Sequence, residues 1–243
     1  MQENIKLIDL VIELVDARVP MSSRNPDIDE LGKNKARLIL LNKADLADEK
    51  QTEEWIGYFR GKGYSAVKVN SRKGGGIKSI QGVIQEACKE KTERDRKRGI
   101  LNRPVRAMVV GIPNVGKSTF INALAGKACA KTGNKPGVTK GKQWIRLNKN
   151  VELLDTPGIL WPKFEDQQVG LLAAELISFM QDAYPGVLAE KYTINEKQNS
   201  YSVLEAIAES RHCLVRGNEL DTAKVAGMLL DDFRNGRLGR ITL

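Results

Sequence analysis

The 243 residues include 39 Lys or Arg against 30 Asp or Glu, a formal charge of +9, and 41% are hydrophobic. A full core is therefore affordable, in one large domain or one domain plus a smaller one, and the charge points either to a polyanion, nucleic acid by default, or to a basic surface that is only solvated. Cys88, Cys129 and Cys213 are too scattered for a disulfide framework or a metal spacing, so a reducing, cytoplasmic setting is expected; no apolar run approaches the ~20 residues of a membrane span, and MQENIKLIDL lacks the marks of a signal peptide.

In chain order, residues 5–14 mix apolar and charged side chains at helix-like spacing and run into a strand near Leu10–Val15. Asp16-Ala17-Arg18 follows, then a breaker-rich loop from Pro20 to Pro26. Ile28–Gly32 reads as a short helix. Ala36–Leu41 (ARLILL) is continuously apolar, as a parallel strand covered on both faces should be.

Asn42-Lys43-Ala44-Asp45 stands at the carboxyl end of that strand, where open parallel sheets bind ligands. The pattern NKxD is the guanine-reading motif of GTPases. An Asp placed like Asp45 accepts both the N1–H and the exocyclic amine of guanine. Adenine has no such amine, so a site built on these bonds discriminates strongly. The Lys43 stem is suited to cover the base, and Asn42 to tie loops together. Taken alone, the tetrapeptide is equally compatible with a helix cap.

Ala47–Gly61 reads as a helix and Ala66–Val69 as a strand. Ser71 and Arg72 then match a second guanine-contacting loop, or an ordinary turn. Ile77–Thr92 reads as one helix with Ile77, Ile80, Val83, Ile84 and Ala87 on one side. Residues 89–106 carry eight basic and three acidic side chains. They form either a surface for RNA phosphates or a solvated linker.

Val105–Val110 is a buried strand leading into Gly111–Thr119, GIPNVGKST. Two glycines followed by Lys and Ser, between a strand and a helix starting near Thr119, form a phosphate loop. Its backbone N–H groups and the helix dipole converge on one anion site. The contacts expected there come from Pro113, Asn114, Val115, Gly116, Lys117, Ser118 and Thr119. Lys117 supplies charge to the outer phosphates, and the Ser118 hydroxyl would ligate Mg2+.

Gly126–Lys140 contains Gly137-Val138-Thr139, whose Thr139 hydroxyl would complete the metal shell. Lys142–Leu147 and Val151–Leu154 read as a hairpin, ending in Asp155-Thr156-Pro157-Gly158. Asp155 would hold Mg2+, and the Gly158 N–H would meet the γ-phosphate. Val169–Tyr184, Ser200–Ser210 and Asp221–Arg234 have helical spacing, with Asp221 placed as a cap and Gly236 as a stop. His212, the one histidine, has no catalytic neighbour in sequence and is expected to be structural.

Ordinary GTPases present the phosphate loop first, then DxxG, then NKxD. Here NKAD precedes the phosphate loop. The same sheet forms if the usual ends are joined through residues 77–106 and the chain is opened after DTPG. The expected fold class is α/β: a doubly wound, mostly parallel sheet in a circularly permuted GTPase domain (1–165). A small, mainly helical C-terminal domain (166–243) would follow.

With Asp16-Ala17-Arg18, PMSSRNP, NKAD, GIPNVGKST and DTPGILWPKFED in place, the chain resembles the circularly permuted GTPases of the YlqF/RbgA type. These help to assemble the large ribosomal subunit. The resemblance implies GTP as substrate, Mg2+ as cofactor, and a partner made of precursor rRNA and ribosomal proteins. It also implies RNA contact by the C-terminal domain. Lys117, Thr139 and Gly158 would carry catalysis. Asn114 matches an Asn that helps hold K+ in related GTPases, or else only fixes the loop. Ile159 replaces the water-orienting Gln of Ras-like proteins, and the family's N-terminal histidine has no counterpart, since no His precedes residue 212. Slow hydrolysis is expected. The competing readings are a nucleotide-gated RNA-binding module with incidental hydrolysis and an ATP-using kinase, against which NKAD argues.

Overall fold

In a computed structural model of the chain, residues 5–24, 27–100, 103–112, 114–130, 143–155, 166–215 and 219–243 are described. They fall into two compact units, Met1–Trp161 with Thr242, and Pro162–Ile241 with Leu243.

The first unit is built on six strands: β1 (Leu10–Asp16), β2 (Ala36–Asn42), β3 (Ser65–Lys68), β4 (Val105–Val110), β5 (Gln143–Arg146) and β6 (Val151–Asp155). Their order across the sheet is β3-β2-β1-β4-β6-β5. All pairs are parallel except β5 with β6, the predicted hairpin. β4 therefore lies between β1, far earlier in the chain, and β6, which follows it. That central place of the phosphate-loop strand is what a permuted GTPase requires.

Both faces of β1 are buried, which explains its near-unbroken apolar run. Leu10, Ile12 and Leu14 enter a cluster with Ile80, Ile84, Phe120 and Ile121. Val11 and Val15 point the other way, into clusters with Ile28 and Met108 and with Phe59 and Ile39. The helices on these faces are α1 (Asp27–Leu31), α2 (Glu49–Gly61), α3 (Ile80–Ala87), α4 (Lys89–Lys97) and α5 (Lys117–Ala125).

The strand expected near Leu10–Val15 is β1, which runs one residue further, to Asp16. One expectation is corrected: 77–92 is not one helix. A 3-10 turn (Ile77–Ser79) precedes α3, which stops at Cys88, and α4 restarts beyond it into the basic segment. Cys88 is buried with Ile80 and Ile84. Beyond it the apolar stripe ends, so nothing holds α4 to the same axis.

The second unit contains α6 (Asp166–Ala183), α7 (Val187–Tyr192), α8 (Ser200–Ser210) and α9 (Thr222–Arg234). Ile177, Met180, Leu188, Val203, Ile207, Val225 and Leu229 form its buried interior. Asp221 caps α9 by accepting from the Lys224 N–H at 2.9 Å, and Gly236 follows in a left-handed conformation, φ 69°. The short helix α7 had no signal in the sequence. It is held by Tyr192, whose hydroxyl donates to Asp232 at 3.0 Å, and Arg237 completes the pairing of that buried carboxylate. Among the described residues no helix is long and apolar enough to cross a membrane.

Candidate functional site

Parallel pairing places three strand ends together. Asp16 lies beside Asn42 in the β1–β2 register, and Asp155 lies beside Val109 in the β4–β6 register. The phosphate loop leaves β4 between them.

The loop needs glycine at two points. A Cβ on Gly111 would stand 2.8 Å from the Leu14 carbonyl and 2.9 Å from Cγ1 of Val115. Gly116 has φ +97°, and a Cβ there would meet Nδ2 of Asn42 at 2.4 Å. Asn114 is also left-handed, φ 62°. α5 then begins at Lys117, two residues earlier than the sequence indicated, so Lys117, Ser118 and Thr119 form its first turn.

Lys117 is buried, and its ammonium pKa is held below the usual lysine value by burial, with the Asp155 charge opposing that shift. The coupling brings the phosphate-loop lysine and the DTPG aspartate into one electrostatic site. Ser118 and Asp155 supply a hydroxyl and a carboxylate, the hard oxygen donors that Mg2+ accepts. Among the described residues no cluster of three or more His, Cys, Asp and Glu could hold a metal. Pro113, Thr139, Thr156 and Gly158 lie outside the described residues.

Asn42 is the hub of the other half. Its Nδ2 donates to the Val115 carbonyl at 2.8 Å. Its Oδ1 accepts from the Ser71 N–H at 3.1 Å and the Ser71 hydroxyl at 2.8 Å. One buried amide thus ties NKAD, the Ser71 loop and the phosphate loop together. The Arg72 N–H is taken by Asn70 Oδ1 at 3.1 Å, closing a small turn, and the Arg72 side chain is exposed.

The helix-cap alternative for NKAD is answered by the next residues. The N-cap of α2 is Asp48, which accepts from the Gln51 N–H at 2.9 Å. Asp45 instead sits in a 3-10 turn (Ala44–Leu46) and pairs with Lys73 at 3.4 Å.

Two relationships escaped the sequence reading. Lys43 is left-handed, φ 61°, and its Nζ donates to Asp16 Oδ2 at 2.8 Å. Asp16 is clasped by Arg18 through Nε at 2.9 Å and a terminal guanidinium nitrogen at 2.7 Å. Burial alone would raise the Asp16 carboxyl pKa, but Arg18 and Lys43 outweigh it and hold it below the ordinary value. The signals for this were the Asp16-Ala17-Arg18 motif and an apolar strand that ends in Asp, as β6 ends in Asp155.

The basic segment divides in two. Lys91 and Arg103 are spent on Asp9 and Asp95, and Arg106 pairs with Glu152. Arg94, Arg96, Lys97 and Arg98 are exposed on and just after α4.

A family profile described as "50S ribosome-binding GTPase" matches residues 106–215. The "Ribosome biogenesis GTPase A" of Bacillus cereus is 48% identical over 99% of this chain and 87% of its own length. That of Priestia megaterium is 44% identical, covering 99% and 90%. Among solved structures, GNP-bound YlqF from T. maritima aligns over 99% of this chain and 94% of its own, at TM-score 0.66 and 27% identity. Strand order and site together define a class, the circularly permuted P-loop GTPases. Within it, the chain belongs to the ribosome biogenesis GTPase A family.

Proposed function

We propose that this chain binds GTP between the phosphate loop and NKAD and hydrolyses it as an assembly factor for the large ribosomal subunit. The supporting observation is the Asn42 hub. One side chain reaches Val115 on the phosphate side and Ser71 on the base side. A ligand gripped at both ends is what such a link would register.

In this reading Asp45 and the Ser71–Arg72 loop read the guanine, with Lys43 along the base. Asn114, Val115, Gly116, Lys117 and Thr119 hold the phosphates, together with Pro113. Ser118 and Asp155, with Thr139, would hold Mg2+, which neutralises charge on the transferring phosphoryl group when bound. Gly158 would contact the γ-phosphate, and Asn114 would favour K+ beside it.

Hydrolysis is proposed to be slow without the ribosome, because Ile159 offers no group to orient water. The exposed arginines after Glu93 and the helical second unit are proposed to face rRNA.

The test is GTP turnover with and without purified large subunits. Stimulation by subunits is the expected result. Turnover that subunits leave unchanged would favour a nucleotide-gated RNA-binding module, and displacement of bound GTP by equal ATP would remove the guanine reading.

A further inference from the structure

Lys43 is constrained at both ends. Its backbone is left-handed at φ 61° and ψ 32°, a conformation that a non-glycine residue adopts at a cost. Its ammonium is fixed 2.8 Å from Asp16 Oδ2. Asp16 in turn is buried and cannot swing, because Arg18 donates to it three times: from its backbone N–H at 3.1 Å, from Nε at 2.9 Å and from a terminal nitrogen at 2.7 Å. The flexible methylene stem of Lys43 is therefore stretched between two fixed points, beside Asn42 and two residues before Asp45.

We propose that Asp16 is a positioning residue of the base site: acting through Lys43, it holds the lysine stem as a ready-made wall for a guanine base and takes no part in gripping phosphate. This rests on the nucleotide reading given above and adds a residue to it. The physical reason is entropic. A lysine side chain has many rotamers, and ordering it at the moment of binding subtracts from affinity. Asp16 orders it beforehand. Arg18 serves as the buried counter-charge that keeps Asp16 ionised and in place.

The experiment compares guanine nucleotides with inorganic tripolyphosphate, which has the phosphates but no base. Asp16→Asn should weaken GTP and GDP alike, by roughly five- to tenfold, and leave tripolyphosphate affinity within about twofold. Lys43→Met breaks the same pair from its more exposed end and leaves Asp16 with Arg18. It too should weaken GTP and spare tripolyphosphate, and it remains measurable if Asp16→Asn does not fold. The double variant should bind GTP no more weakly than Lys43→Met.

Wild-type GTP affinity in Asp16→Asn would overturn the proposal. So would a parallel loss of tripolyphosphate, or additive losses in the double variant. A wild-type chain that does not distinguish GTP from ATP would sink the nucleotide reading as well, whereas a guanine-selective wild type with an unaffected Asp16→Asn sinks only the positioning role.

Discussion

A Cβ placed on Gly116 would lie 2.4 Å from Nδ2 of Asn42, the same nitrogen that donates to the Val115 carbonyl across 73 residues of chain. The glycine and the asparagine are thus one feature. Asn42 can enter the phosphate loop only because residue 116 has no side chain.

Gly116→Ala should therefore fail twice. A left-handed alanine costs about 1–2 kcal/mol, and its methyl group displaces Asn42. The expected outcome is a lower unfolding midpoint together with loss of GTP binding, by denaturant titration and fluorescent-nucleotide titration. Asn42→Ala should separate the two: the loop keeps its glycine but loses three hydrogen bonds, each worth about 1 kcal/mol net. Retention of full GTP affinity in Asn42→Ala would show that the link between loops has no bearing on binding.

Asp45→Asn changes an acceptor pair into an amide. Guanine should bind more weakly and xanthine, whose extra oxygen suits an amide donor, more tightly. Competition between GTP and XTP for the fluorescent nucleotide reads this directly. Unchanged preference would place the base elsewhere. Lys73, paired with Asp45 at 3.4 Å, is mostly exposed, so Lys73→Ala should alter affinity little.

Lys117 connects the site to pH. Its folded pKa lies below the ordinary lysine value, from burial, with Asp155 pulling the other way. While the lysine is charged in both folded and unfolded chains, its burial costs stability. That cost fades as pH rises through the lowered folded value. A bound triphosphate favours the ammonium, so binding at alkaline pH should take up protons. Calorimetry of inorganic tripolyphosphate, which has no titrating base, at alkaline pH in two buffers of different ionisation heat should show this linkage. Equal heats in both buffers would contradict it. Lys117→Ala should abolish nucleotide binding.

Neutralising Arg94, Arg96, Lys97 and Arg98 should flatten the salt dependence of RNA binding. Four lost phosphate contacts correspond to a slope smaller by about 3. All four side chains are exposed, so the unfolding midpoint should barely move. An unchanged slope would assign the segment to solvent. Lys91→Ala is the internal control, since Lys91 already serves Asp9 and Asp95.

What the sequence disclosed and what it hid have a common physical basis. GIPNVGKST and NKAD are local: each fixes its chemistry by neighbours in the chain, so each was readable. Three central strands were readable too, because Leu10–Asp16, Ala36–Asn42 and Val105–Val110 are apolar enough to be buried on both faces; their order across the sheet was not. The Cys88 break was hidden because no Gly or Pro stands there to end the helix. The pairing of Asp16 with Lys43 depends on the β1–β2 register, which no single stretch encodes. Glu13 was the least legible: a charge in the middle of LVIELVD gave no hint that it is only 1% exposed.

Glu13 supports the last prediction. It accepts from Arg24 at 3.1 Å and Arg37 at 2.9 Å, both of which also bond Asp29. Arg24 belongs to the PMSSRNP loop and lies over the Phe59 and Tyr64 rings, so the cluster fastens that loop to the sheet. Removing one partner of a buried pair leaves its counter-charges uncompensated, at about 3–5 kcal/mol. Glu13→Ala should lose that much in urea unfolding. Replacing Glu13, Arg24 and Arg37 together by apolar residues of similar volume should recover most of it, because the one carboxylate left without partners, Asp29, is partly exposed to water. The carboxylates also set the acid limit. Burial would raise the Asp29 pKa, but its hydrogen bond from Arg24 wins and lowers it, as Arg18 does for Asp16. Groups lowered on folding stabilise above their unfolded pKa and lose that contribution as pH falls through the folded one. On their account stability should be level from about pH 5 to neutrality and drop below about pH 4. The drop should be smaller in the triple apolar variant, which no longer holds Asp29 against Arg24. An acid profile identical in the two proteins would show that Asp29 contributes nothing to it.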